Sequence, residues 1–167
     1  MSVAGSRSAG MHMPRVVSVA ALAVLIAFVV QTAVLPALGV SAVVPLVFAT
    51  VVVVAMAWGS GPGAVAGFGA GLLLDVTGSG VLGVAALVGC LTGAAATRIP
   101  TDRWWWTGAG WAFLLTTGAA WLTAALNGLL HGRAPGVTTG WLWVALGGAV
   151  CVVVLLPLRG WLREVVR

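Results

Sequence analysis

Polar side chains interrupt this chain only at long intervals, and between the interruptions almost every position is apolar. Runs of about 20 apolar residues are long enough to cross a hydrocarbon core of about 30 Å as helices. The pattern predicts six crossings, near 15–35, 42–58, 62–75, 81–98, 104–130 and 138–158. Pro45 falls in the first turn of the second, where a missing N–H is tolerated. Gly59–Pro62 forms the turn before the third segment, and Thr77–Gly80 the turn after it. The third segment is short, about 21 Å at 1.5 Å per residue. Residues 62–98 therefore have an alternative reading as a re-entrant pair that dips into the membrane and returns. The expected fold is an all-α integral membrane protein. A six-helix bundle over 14–160 lies between a disordered cytoplasmic tail, 1–13, and an arginine-rich cytoplasmic tail, 161–167.

Within that frame, residues 61–83 stand out. Gly63, Gly67 and Gly71 recur every fourth residue, and the next step lands on Asp75. At 3.6 residues per turn these positions form one drifting stripe on a helix. Three have no side chain and the last is ionisable, so the stripe reads as a surface for close helix packing, internal or with a partner. Ala85, Gly89 and Gly93 make a second small-residue ladder on the next segment, and together with the first stripe they allow close backbone contact between spans, with packing inside the bundle favoured over a partner face.

Composition narrows the class. The chain of 167 residues is 61% hydrophobic and 7% charged, with mean hydropathy +1.15, outside the range of soluble domains. The formal charge of +5 comes from arginine alone, since lysine is absent. With the N-terminus cytoplasmic and six crossings, Arg7, Arg15, Arg98, Arg103, Arg159, Arg163 and Arg167 fall inside and only Arg133 outside. Both termini are thus expected in the cytoplasm. Trp58, Trp104, Trp105, Trp106 and Trp161 fall at the inner interface, and Trp141 and Trp143 at the outer one. No basic patch interleaves with exposed aromatics, which argues against nucleic acid. The first apolar run exceeds the length of a signal-peptide core and reads as a retained span. Cys90 and Cys151 lie inside apolar segments as small hydrophobes, not as a disulfide framework.

Candidate chemistry is sparse. Asp102 lies between Arg98 and Arg103, and Glu164 beside Arg163, so both read as solvated charge balance. His12 and His131 have no acid or cysteine spaced to complete a metal set. No phosphate loop carries a lysine, and no serine has a histidine and an acid to activate it. The chain reads as a non-enzyme, without catalytic residues, cofactor, metal or small-molecule substrate. Asp75 remains. A carboxylate in a bilayer is costly, and a helix C-terminus disfavours it further. Two arrangements compensate it: backbone N–H groups of Thr77, Gly78 or the start of the fourth segment, or a polar group in another span or another protein. Gln31 and Asn127 are expected to bond backbone or each other.

The stretch GFGAGLLLDVTGSGVLGVAAL, Gly67–Leu87, resembles the signature of the rod shape-determining protein MreD family. That signature is Gly-x-x-x-Gly-x-x-x-Asp, a short Ser/Gly turn, then Leu-Gly. Gly67, Gly71, Asp75, Gly78, Ser79, Leu82 and Gly83 carry the match, and Gln31 followed by Leu35-Pro36 is a second. Leu46 departs from it, since the family often has Asn or Asp after the proline. The resemblance implies a six-helix bundle like the substrate-binding subunits of ECF vitamin transporters. It also implies a non-catalytic component of the cell-elongation complex at the cytoplasmic membrane. The implied partners, besides the lipid bilayer, are MreC, the MreB filament, RodA and a class B penicillin-binding protein. On this reading the glycine stripe meets a partner span, and Gly67→Leu or Gly71→Leu weakens assembly more than Ala21→Leu at similar protein level. Asp75→Ala is expected to impair assembly or folding. The rival reading is a vitamin-binding subunit of an ECF-type transporter. It would use Ala23-x-x-x-Ala27 to meet a coupling protein, and Gln31, Thr32, Asp75, Asn127 and His131 to line a pocket near the outer side.

Overall fold

The computed structural model describes residues 13–37, 39, 45–78, 80–98, 105–132, 147–150, 154 and 164. All regular structure among them is helical. Helix α1, Met13–Val29, continues through a π-helical turn, Val30–Val34, into a last short turn α2, Leu35–Ala37. Then follow α3, Leu46–Trp58, α4, Ser60–Thr77, and α5, Val84–Ala95, which ends in a 3-10 turn, Ala96–Arg98. Helix α6 is Trp105–Leu130. Two stretches are long and apolar enough to cross a membrane, Arg15–Ala37 and Gly108–Leu130, each of 23 residues. The apolar helices Leu46–Trp58 and Val84–Arg98 are shorter.

The third predicted segment gains two residues at each end. Helix α4 has 18 residues, about 27 Å at 1.5 Å per residue. It starts sooner because Gly59, at φ 100° and ψ −177°, reverses the chain in one residue. Only glycine adopts that conformation readily. Pro62 then sits in the first turn of α4, where no N–H is required. Of the sixth predicted segment, residues 147–150 and Val154 are helical, and the rest lies outside the described residues. So do the first tail, Ser79, Asp102, Arg103, Trp104, Arg133 and Cys151.

Helix α3 is the axis. Every residue from Val47 to Met56 is buried, as expected for a helix apolar on all sides. It contacts α1, α4, α5 and α6. Ala20, Val24 and Ala27 of α1 pack on Val47, Val51 and Val54 of α3 and on Ala66 and Ala70 of α4. Across the axis, Val52 and Met56 pack with Ala112 of α6 and Ala96. Three buried hydroxyls bond within their own helices, Thr50 to the Leu46 carbonyl at 2.9 Å, Thr92 to Val88 at 2.7 Å and Thr116 to Ala112 at 2.7 Å, while the buried Thr117 Oγ1 has no such bond. No water is needed to satisfy those three. The outside is apolar too: Leu22, Phe68, Leu91 and Leu114 are each more than half exposed. So is Trp111, while Trp121 is nearly half exposed. A surface this apolar on several helices suits lipid and not water.

Successive helices run up and down. Arg15, Gly59 and Arg98 lie at one end of the bundle, and Gln31, Asp75, Gly83 and Asn127 at the other.

Candidate functional site

Asp75 is 6% exposed, in the last turn of α4. Its Oδ2 accepts the N–H groups of Gly83 at 2.8 Å and Ala86 at 3.1 Å, and its Oδ1 that of Ala85 at 3.1 Å. These are the free donors that begin α5. The remaining one, Val84, donates to the Val81 carbonyl at 3.3 Å. One carboxylate and one turn carbonyl therefore satisfy the donors that begin the next helix. The partial positive charge at the start of α5 offsets the unfavourable end of α4. Of the arrangements open to Asp75, the structure holds the backbone one at the start of the fourth segment. Gly83 takes a left-handed conformation, φ 97°, which turns its N–H toward the carboxylate. Gly78 closes α4, its N–H reaching the Leu74 carbonyl at 2.8 Å.

Two further polar side chains accept backbone N–H groups at that end. Gln31, in the π turn, accepts the Val47 N–H of α3 at 2.8 Å through Oε1. Asn127 of α6 accepts the Val81 N–H at 2.7 Å through Oδ1 and donates from Nδ2 to the Thr123 carbonyl at 3.0 Å. The turn between α4 and α5 packs tightly there, since a methyl on Gly80 would fall 2.8 Å from Asn127 Oδ1. Thr32 bonds the Phe28 carbonyl at 2.8 Å, and the exposed His131 ring lies 2.7 Å from the Asn127 carbonyl. Pro36 is exposed, its carbonyl accepting the Gly39 N–H at 3.0 Å. The five residues expected to line a ligand pocket are thus turned onto backbone. Ala27, 5% exposed, faces the core, so Ala23-x-x-x-Ala27 offers no free docking face. Cys90 is half-buried and free. Among the described residues, no three His, Cys, Asp or Glu side chains gather to hold a metal ion.

The glycine stripe is covered from within. Gly63, Gly67 and Gly71 of α4 lie against Gly93, Gly89 and Ala85 of α5 in antiparallel register. A methyl built on Gly67 would overlap the Gly89 carbonyl, and one on Gly71 the Ala85 carbonyl. Gly63 also meets Ala55 of α3. Of the two occupants left open for this stripe, a neighbouring helix of the bundle or a partner span, the structure holds the neighbouring helix: α5 lies along it, because two bare helix faces allow backbone contact along their whole length.

The open surface lies on the other side of α4. Between α1 and α4 runs a groove of about 490 Å³, lined by Val17, Ala21 and Leu25 on one wall and Gly61, Val65 and Gly69 on the other. Nothing stands within 4 Å of a methyl added to Gly61 or Gly69. No titratable or hydrogen-bonding side chain lines it. Sequence reasoning missed these residues, though Gly61, Val65 and Gly69 also step by four. Two residues at 100° each place Gly69 nearly opposite Gly67. Ala21, chosen as a neutral reference position, belongs to this groove and is not neutral.

The chain matches no family model, no curated protein and no solved structure.

Proposed function

We propose that this chain is a non-catalytic membrane scaffold of the MreD type, organising lateral wall synthesis in a cell-elongation complex. The observation that carries this reading is the division of labour inside the bundle. The candidate polar groups are bonded to backbone N–H groups, while an apolar groove with a glycine-notched wall stays open. Such a groove suits a helix and not a polar ligand. In lipid, helices associate by close packing, which small residues permit. The occupant we propose is the single transmembrane helix of an MreC-like partner, with MreB, RodA and a class B penicillin-binding protein in the wider assembly. The same reading takes six crossings, with a bundle resembling ECF substrate-binding subunits. Arg15 and Arg98 share the end assigned to the cytoplasm, with both termini there.

Photocrosslinking in intact cells tests this. A photoreactive residue at Leu25 or Val65 is expected to capture the partner's membrane helix, and one at Leu91, on the far face of α5, is not. Equal capture at all three positions, or none at Leu25 and Val65, would overturn the assignment. A vitamin co-purifying at one per chain would replace it with the transporter reading.

A further inference from the structure

The two walls of the groove are built differently. Helix α4 is locked along its length to α5 by glycine-on-carbonyl contact, and at its end by Asp75. Helix α1 packs on α3 and α4 through the side chains of Ala20, Val24 and Ala27, with Phe28 partly buried beside them, and carries no glycine for backbone contact of that kind. At the far end of α1 the winding changes. Over Val30–Val34 the helix is π, with the Leu35 N–H reaching back to the Val30 carbonyl. Inside this turn sits Gln31, bonded to an N–H of the first turn of α3, that of Val47.

A π turn carries one residue more than an α turn. Regularising it would rotate α1 by about one residue step, ~100°, relative to the end held at α3. Gln31 would then leave Val47. An unpaired N–H in apolar surroundings opposes that release, so the bonded state prevails in the absence of a partner.

We propose that α1 is a movable wall of the groove, hinged at Val30–Val34 and latched by Gln31 to the start of α3. Releasing the latch widens the groove for an incoming transmembrane helix. This inference rests on the docking reading above, but its test needs no partner.

The test uses the full chain in lipid nanodiscs with Cys90→Ala and Cys151→Ala. Spin labels at Leu22→Cys and Phe68→Cys report the distance across the groove, and labels at Phe68→Cys and Leu91→Cys report the α4–α5 hairpin. The cross-groove distribution is expected to be broader than the hairpin one. Gln31→Leu should add a longer-distance population, while Gln31→Glu, which keeps an acceptor, should match the parent. The hairpin distribution should stay unchanged throughout. An unchanged cross-groove distribution in Gln31→Leu overturns the proposal, and so does an opened one in Gln31→Glu. If Gln31→Leu does not accumulate, a parent cross-groove distribution no broader than the hairpin's overturns it. Any of these results leaves the crosslinking prediction standing on its own.

Discussion

Asp75 illustrates how one side chain organises two helices. Its carboxylate takes three N–H groups eight to eleven residues onward, so it links the end of α4 to the start of α5. Charge-assisted hydrogen bonds are the stronger kind, and buried donors left unpaired carry the full desolvation cost. Asp75→Ala orphans all three and is expected to destabilise the bundle by about 3 kcal/mol, with Asp75→Asn costing less because one acceptor oxygen remains. Unfolding followed in mixed micelles checks this. Equal stability of Asp75→Ala and the parent would remove the cap from the account. An Asp at the end of a glycine stripe was visible as a residue needing compensation. Which donors supply it was not, because the α4–α5 turn had to be folded first.

At the scale of elements, the α4–α5 hairpin is the unit that the sequence pattern described best. Spacing by four put Gly63, Gly67 and Gly71 on one face, and Ala85, Gly89 and Gly93 on another. Together these ladders allow close contact between spans, and the folded hairpin sets their antiparallel register. This reverses the expectation for stripe mutants. Gly67→Leu drives a side chain into the α5 backbone, where nothing flexible can yield, and is expected to lose folded protein; overpacking alone costs about 1–3 kcal/mol, and a backbone clash more. Gly69→Leu meets open space and should leave folded yield near the parent's while reducing partner crosslinking several-fold. Comparing yield and crosslinking for the two variants separates the faces. Normal accumulation of Gly67→Leu would contradict the observed register.

For the whole molecule, α3 is buried and the outer faces of α1, α4, α5 and α6 are apolar, as the proposed membrane bundle requires. Arg98 and the His131 turn lie at opposite ends. With six crossings and a cytoplasmic N-terminus, a cysteine replacing His131 should react with an impermeant maleimide in intact cells. One replacing Arg98 should react only after permeabilisation, in a background lacking Cys90 and Cys151. Labelling of both from the same side would refute the assigned orientation.

Amino-acid order alone determined that the chain is helical and apolar, and that one acid and a glycine stripe need close neighbours. These properties depend on local composition and on the 3.6-residue period, both of which sequence carries directly. Tertiary structure decided which bare face was consumed internally and which remained open. It also aimed Gln31, Asp75 and Asn127 at backbone instead of a shared pocket. Helix faces two residues apart differ only by rotation, so their exposure depends on which neighbour arrives, and pairing across a turn is not written in either helix.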